Sequence, residues 1–215
     1  MTTLVEIHAD WRRQLDRGLA EMQLQASRGQ RDQLLGYLGL LARWNRSFNL
    51  TAVRDPDVMV RRQLLDSLSI LPWLDRGPVL DVGTGAGLPG IPLSIVRSGL
   101  NFSLLDSNGK KTRFVSQAAA ELGLANVEVI RRRAEQLERP QHYACITSRA
   151  FATLADMVAK TTHLLAPDGC WLAMKGALPN KEQAELPPGL AMKTVALQVP
   201  GEVGQRHLVI LRRDD

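Results

Sequence analysis

From Gly77 onward, the chain alternates short apolar runs with stretches of helical character. Short apolar runs are typical of buried strands, and strands that alternate with helices form right-handed βαβ units. The alternation therefore predicts a parallel sheet that is covered by helices on both faces. The first five runs lie at residues 78–81, 102–106, 127–130, 144–147 and 170–174.

Two more runs follow at residues 194–199 and 206–211, and they are joined by a short link at residues 200–204. This link is too short for a parallel crossover, so the two runs are predicted to form an antiparallel hairpin. The expected fold class is α/β and Rossmann-like. Its sheet has seven strands, is mostly parallel and ends in a C-terminal antiparallel hairpin.

The first third of the chain has a helical pattern. Leucines recur at three- and four-residue steps, and the segment Ser27-Arg28-Gly29 separates two helices. Asp55 as N-cap and Pro56 at the first helical position open a third helix that ends near Pro72. We expect an N-terminal helical extension, residues 1–76, to pack on a cofactor-binding domain, residues 77–215, in one structural unit.

Composition excludes several classes of protein. The 215 residues hold no apolar run long enough to cross a membrane and no export signal at the N-terminus. Cys145 and Cys170 are too few for a disulfide framework, and no His, Cys and Asp cluster has the spacing of a metal site. We therefore expect a cytoplasmic protein with reduced thiols, no metal and no membrane contact.

The strongest local signal is the glycine-rich segment at residues 81–90, which follows a predicted strand and opens a helix. Glycines in such a loop allow a tight turn and a close approach of the backbone to a ligand. Asp106 ends the next predicted strand, where a carboxylate can accept hydrogen bonds from ribose hydroxyls. The two features together predict a cofactor site.

This loop fits two cofactor patterns. Residues 85–90 match the G-x-G-x-x-G pattern of NAD-binding proteins. Asp81 with Gly83, Gly85 and Gly87 matches an acidic-x-G-x-G-x-G pattern, which resembles motif I of the S-adenosylmethionine-dependent methyltransferases. A carboxylate beside the loop disfavours an anionic pyrophosphate but is compatible with the ammonium group of S-adenosylmethionine. The methyltransferase interpretation is therefore preferred.

Further motifs in the same order are similar to the ribosomal RNA small subunit methyltransferase G family, also called glucose-inhibited division protein B. The resemblance covers about residues 35–212, and it departs from the family where Arg62-Gln63 replaces the frequent Arg-His. The motifs, besides the glycine loop through Leu93, are Trp44-Asn45-x-x-x-Asn49-Leu50-Thr51-Ala52-Val53-Arg54-Asp55, Leu65-Asp66-Ser67, Leu105-Asp106-Ser107, Ser148-Arg149-Ala150-Phe151-Ala152, Met174-Lys175-Gly176 and Arg206-His207-Leu208-Val209.

The resemblance implies a class I methyltransferase fold in a cytoplasmic bacterial enzyme. Its implied reaction is methylation of N7 of a guanine, guanine 527 in the family, in 16S ribosomal RNA. The cofactor would be S-adenosylmethionine, and the RNA would be met in the 30S subunit or an assembly intermediate, with no obligate protein partner evident. The resemblance assigns cofactor contacts to Asp81, Gly83, Gly85, Gly87, Leu88, Asp106, Ala134, Glu135 and Arg149.

N7 of guanine carries a lone pair and no proton, so we nominate no catalytic acid or base. Arg149 and Lys175 are candidates for positioning the substrate. Residues 108–149 carry eight basic and four acidic side chains, so most of the net charge of +5 lies there. This charge is either a polyanion footprint or a solvated face. The candidate RNA-binding residues are Lys110, Lys111, Arg131, Arg132, Arg133, Lys175, Arg206 and His207.

Three alternatives from other classes stay open at the level of sequence. The embedded G-x-G-x-x-G would suit an NAD-dependent oxidoreductase. The same fold could serve a non-catalytic RNA-binding or ribosome-assembly protein. A methyltransferase that acts on a small molecule would share the cofactor loop and differ only in its acceptor.

Overall fold

The structure of the protein, a computed structural model, describes residues 4–149, 151, 153–177 and 182–214. Its centre is a seven-stranded sheet with the order β3-β2-β1-β4-β5-β7-β6. Only β7 runs antiparallel to its neighbours β5 and β6. The strands are β1 Val79–Val82, β2 Phe102–Leu105, β3 Val127–Ile130, β4 Tyr143–Arg149, β5 Leu165–Lys175, β6 Leu190–Ala196 and β7 His207–Arg213.

Helices cover both faces of this sheet. A π-helical turn, Val60–Leu65, lies between α3 and α4, and short 3₁₀ turns lie at Leu71–Trp73, Ala134–Gln136 and Glu182–Glu185. The α-helices are α1 Leu4–Glu21, α2 Arg28–Phe48, α3 Pro56–Met59, α4 Asp66–Leu68, α5 Gly90–Val96, α6 Gly109–Glu121 and α7 Leu154–Thr161.

The apolar core has two parts, one on each face of the sheet. The larger part joins buried residues of α1 and α2 with those of α5, α6 and the sheet, so the N-terminal helices share a core with the strands. The smaller part packs α7 on the opposite face around the fully buried Trp171 and Tyr143. A parallel sheet needs this burial on both faces.

Helix α2 runs from the amino edge of the sheet towards the carboxyl edge. Near its start, the Gln30 side chain donates to the carbonyls of Ile95 and Val96 at the end of α5. Two turns further along the helix, the Tyr37 hydroxyl donates to the carbonyl of Ala86 in the glycine loop, 2.8 Å away. The last turns of α2 therefore extend beyond the carboxyl edge.

The predicted seven strands and the C-terminal antiparallel hairpin are confirmed, although several element boundaries differ from the predicted ones. Strand β6 begins at Leu190, before the predicted run, because its pairing with β7 continues out to Arg213. Ser27 is the N-cap of α2, whose capping box includes Gln30, so Arg28 and Gly29 lie inside the helix and not in a break. Among the described residues, no helix is both long and apolar enough to cross a membrane.

Candidate active site

The carboxyl edge of the sheet collects the ends of the parallel strands, which is where open α/β sheets bind ligands. The glycine loop follows β1 and Asp106 follows β2, while the backbone N–H of Asp106 donates to the carbonyl of Ile130 at the end of β3. Arg149 and Lys175 end β4 and β5, and His207 begins β7 in register with Lys175. The candidate residues from distant parts of the sequence thus share one edge.

Two glycines show why the loop tolerates no side chain there. Gly85 has a φ of +59°, a conformation that disfavours other residues, yet a Cβ built on it would meet nothing closer than 3.9 Å. The contacts there are ordinary ones, with the carbonyl of Gly83 at 3.9 Å and with Nζ of Lys111, the end of a flexible side chain, at 4.0 Å. Gly87, with a φ of +88°, faces the core instead, because a Cβ there would lie 2.6 Å from Cγ1 of Ile91.

Asp81 holds the base of the loop and is fully buried. Its Oδ2 accepts hydrogen bonds from the Thr84 hydroxyl at 2.6 Å and the Gly90 N–H at 2.8 Å. Its Oδ1 is buried and has no hydrogen-bond partner among the described residues. Burial raises the pKa of Asp81 to about 6, although the bonds from Thr84 and Gly90 oppose the shift.

Asp106 lies across the loop from Asp81 and is only partly buried. Its Oδ2 accepts from the Gly85 N–H at 2.9 Å, and its Oδ1 accepts from the Asn108 N–H at 2.8 Å. Each carboxylate oxygen has a further lone pair that can accept another hydrogen bond. The carboxylate therefore fixes the loop and still presents acceptor capacity to a ligand.

The remaining candidates for cofactor contact have different exposures. Leu88 is buried, so its side chain serves the core beneath the loop. Ala134 is buried at the start of the 3₁₀ turn after β3, and Glu135 beside it is exposed. Arg149 lines a neighbouring cleft at the same edge of the sheet.

This cleft has a volume of about 420 Å³, within the range of small-molecule sites. Phe151, which follows β4, contacts the glycine loop, since its ring lies 3.3 Å from where a Cβ on Gly83 would be. Ala150 and Ala152 of this motif lie outside the described residues. The cleft is lined by Thr51, Val53, Arg62, Gln63, Asp66, Arg149, Met174, Lys175, Gly176, Leu197, Arg206 and His207.

Arg149 is fixed in the cleft by three acceptors. Its Nη1 donates to Oδ2 of Asp66 at 3.1 Å and to the carbonyl of Arg62 at 2.9 Å. Its Nη2 donates to Oε1 of Gln63 at 2.8 Å, while Nε2 of Gln63 donates to the hydroxyl of Thr51. Gln63, which departs from the family pattern, thus links the segment after α2 to the end of β4.

Three further RNA candidates are also held by local partners. Arg206 pairs with Asp66 at 3.0 Å and with Glu202 at 3.4 Å, and Lys175 pairs with Glu182 at 2.9 Å. His207 is only 7% exposed, and its Nδ1 lies 3.3 Å from the carbonyl of Gly176. These side chains line the cleft and do not project from the surface.

The other five RNA candidates form a contrasting group. Lys110, Lys111 and the three consecutive arginines have no ion pair within the ranges that the structure describes. The Arg131 guanidinium lies over Gly109 at the start of α6, since a Cβ there would be 2.7 Å from its Cζ. The basic end of β3 and the basic start of α6 therefore meet.

Sequence reasoning gave no role to two residues that organise this edge. Asp66 binds both Arg149 and Arg206, which lie 83 and 140 positions away in the chain. Tyr37 supports the glycine loop from α2 and is fully buried. Asp66 falls inside a motif, Leu65-Asp66-Ser67, so a signal for it was present, whereas Tyr37 looks like any apolar position of an amphipathic helix.

Solved structures share this fold. A SAM-dependent methyltransferase from Aquifex aeolicus superposes with a TM-score of 0.53 at 19% identity, over 70% of this chain and 92% of that chain. A tRNA (m1A58) methyltransferase, TrmI, from the same organism gives 0.58 at 14% identity, over 70% of this chain and 69% of that chain. The strand order, the glycine loop and these superpositions define a class I methyltransferase fold.

The sequence comparisons narrow this class to a family. The model of the family described as rRNA small subunit methyltransferase G matches residues 30–209. A ribosomal RNA small subunit methyltransferase G from Marinobacter nauticus is 55% identical over 207 residues, which cover 96% of this chain and 97% of that protein. The protein of the same name from Pseudomonas aeruginosa is 49% identical over 99% of both chains. The chain belongs to the ribosomal RNA small subunit methyltransferase G family.

Proposed function

We propose that this protein transfers the methyl group of S-adenosylmethionine to N7 of a guanine in 16S ribosomal RNA. Its acceptor would be the RNA in the 30S subunit or an assembly intermediate, in the cytoplasm. Family membership supports the reaction class and the RNA. The observation that carries the proposal is the juxtaposition of an open glycine loop with a cleft lined by hydrogen-bond donors at the same sheet edge.

The residues of the loop suit S-adenosylmethionine. Outside the loop, only the end of the flexible Lys111 side chain comes within 4.0 Å of a Cβ built on Gly85, so a ligand could lie against the backbone there. The partly exposed Asp106 carboxylate lies beside the loop, and the buried Asp81 carboxylate lies beneath it with no hydrogen-bond partner for its Oδ1 among the described residues, so these two groups favour a cationic ammonium over a pyrophosphate. Asp106 would hold the ribose hydroxyls, and Ala134 and Glu135 would border the adenine. The bound cofactor supplies a methyl group on a sulfonium, which a nitrogen lone pair can attack.

The cleft would receive the target guanine. The major-groove edge of guanine presents two acceptors, O6 and N7, and N7 must stay free to react. Arg149, Lys175 and Arg206 would therefore donate to O6 and to phosphates and leave N7 facing the loop. No general base is required, because N7 has no proton to lose. The chain contributes alignment of the reacting atoms and a fixed electrostatic environment.

A comparison of acceptors tests this proposal. Tritium-labelled S-adenosylmethionine is incubated with the protein and with 16S RNA, 30S subunits or 70S ribosomes from cells that lack the modification, with bulk tRNA as the control acceptor. We expect label in the small-subunit RNA and none in tRNA. Label in tRNA or protein, or binding of NAD and not S-adenosylmethionine in calorimetry, would contradict the proposal.

A further inference from the structure

The end of α2 extends beyond the carboxyl edge of the sheet, on the side of the candidate active site. Tyr37 contacts the glycine loop, and Phe48 follows eleven residues later as the last residue of the helix. At a rise of 1.5 Å per residue, Phe48 lies about 16 Å further along the helix axis than Tyr37. Thr51, three residues beyond Phe48, lines the cleft. A polynucleotide that reaches the cleft must therefore pass close to the end of α2.

Phe48 is an aromatic ring that is held in place and yet exposed. It is 45% exposed, whereas Tyr37 and Leu41 on the same stripe of α2 are fully buried. Its ring lies 5.1 Å from that of Trp44, which in turn lies 5.6 Å from the buried ring of Phe114 in α6. Phe48 therefore has one side against a rigid aromatic stack and another side open to solvent.

The charge around Phe48 favours a polyanion. Residues 33–54 contain three arginines, Arg43, Arg46 and Arg54, and no acidic residue. Arg43 pairs with Glu121, but Arg46 makes no ion pair within the described ranges, and Arg54 bonds only to the neutral side chain of Asn49. A single exposed ring between uncompensated cations fits a nucleic acid better than an apolar protein surface.

We propose that Phe48 is a stacking platform for an unpaired base of the substrate RNA that flanks the target guanine. Arg46 and Arg54 would hold the adjoining phosphates. Proteins recognise RNA loops largely by stacking splayed bases on aromatic side chains, and such stacking tolerates any base. The inference rests on the proposed function, and it adds an RNA contact on α2 to the basic groups of β3 and α6.

The test compares substitutions of Phe48 in the full chain. In Phe48→Ala, we expect the KM for 16S RNA or 30S subunits to rise roughly 5- to 150-fold, the range of base–aromatic stacking, with unchanged affinity for S-adenosylmethionine. Phe48→Leu should lose nearly as much although it stays apolar, whereas Phe48→Trp should retain the wild-type KM. His142→Ala is the matched control, because that exposed ring precedes β4 at the opposite edge of the sheet.

Salt dependence separates the ring from its arginine neighbour. Arg46→Gln should flatten the log–log salt slope of RNA binding by up to about one unit, and Phe48→Ala should leave that slope unchanged. A wild-type KM in Phe48→Ala or in Phe48→Leu would overturn the stacking role while methylation by the wild-type protein still stands. A loss confined to 30S subunits, with naked 16S RNA unaffected, would assign the ring to a protein contact and also overturn it. Absence of methyl transfer by the wild-type protein would instead overturn the proposed function.

Discussion

The hydroxyl of Tyr37 donates a 2.8 Å hydrogen bond to the carbonyl of Ala86, and this bond joins the N-terminal helices to the glycine loop. Tyr37 is fully buried, and burial raises its pKa far above the ordinary value, so the hydroxyl stays protonated and remains a donor. The helical extension thus does more than cover the sheet. It fixes the backbone against which a cofactor would lie.

Tyr37→Phe should weaken cofactor binding. The substitution leaves the Ala86 carbonyl without its buried donor, which costs about 1–3 kcal/mol, and it releases one restraint on the loop. Calorimetry with S-adenosylhomocysteine and urea unfolding measure the two effects. Tyr143→Phe is the matched control, because Tyr143 is also fully buried but its hydroxyl contacts Arg139, away from the loop. Equal losses of cofactor affinity in both variants would refute a specific role for Tyr37.

Asp106→Ala should reduce the affinity for S-adenosylmethionine by about 1.5–3 kcal/mol, since charge-assisted hydrogen bonds to the ribose would be lost. The fold should persist, because the side chain is partly exposed at a strand end. Asp168→Ala serves as the control, as Asp168 lies near the start of β5 and pairs with Arg76. Cofactor titration of the folded variants decides the matter, and unchanged affinity in Asp106→Ala removes this residue from the site.

Asp81 gives the stability of the protein a specific pH dependence. Its pKa is raised from 3.8 to about 6 by burial, so the folded state binds the proton more tightly than the unfolded state. The contribution of Asp81 to stability is therefore greatest at low pH and declines as the pH rises through about 6. Asp81→Asn removes this titration and keeps an acceptor for Gly90.

The difference in unfolding free energy, Asp81→Asn minus wild type, should consequently rise by about 2.4 kcal/mol between about pH 4 and pH 8. Urea unfolding of both proteins across this range measures it, and other titrating groups cancel in the difference. A difference that does not vary with pH would show that Asp81 has an ordinary pKa.

The three consecutive arginines after β3 should bind RNA phosphates. Replacing Arg131, Arg132 and Arg133 together by Gln should weaken RNA binding and flatten its salt slope by up to about one unit for each lost phosphate contact, with cofactor affinity unchanged. Filter binding at several salt concentrations is the measurement.

The control for this variant replaces an equal number of exposed arginines at the opposite edge of the sheet, Arg28, Arg97 and Arg212. Arg28 lies at the start of α2, Arg97 lies at the end of α5, and Arg212 lies on β7 opposite Cys170 of β5. If the Arg131, Arg132 and Arg133 variant keeps the wild-type RNA affinity and salt slope, the three arginines form a solvated edge and do not bind RNA. RNA contact would then fall to the cleft and to α2.

Local patterns predicted the strands, the hairpin and the glycine loop, because alternation and glycine spacing are properties of short segments. They also predicted that Asp106, Arg149 and Lys175 lie at strand ends on the same edge of the sheet, which follows from the parallel arrangement. The partners of those residues could not be predicted in the same way. Arg149 and Arg206 meet on Asp66 only through the packing of α4 against the sheet, and no spacing in the sequence encodes that contact.

The same limit applies to charge. A count of basic residues cannot distinguish Lys110 and Lys111, which have no ion pair in the described ranges, from Lys175, which faces Glu182. That distinction depends on which carboxylates the fold brings within reach. The exposure of Phe48, an apolar residue in a helical stripe, likewise depends on the fold, because the helix extends beyond the core there.

The identity of the methylated nucleoside tests the central claim most directly. The protein is incubated with methyl-labelled S-adenosylmethionine and unmodified 30S subunits or 16S RNA, and the RNA is digested to nucleosides for chromatography and mass spectrometry. The account predicts a single labelled product, 7-methylguanosine, at no more than one methyl group per RNA. Label in any other nucleoside, or no label in RNA from a folded protein that binds the cofactor, would contradict it.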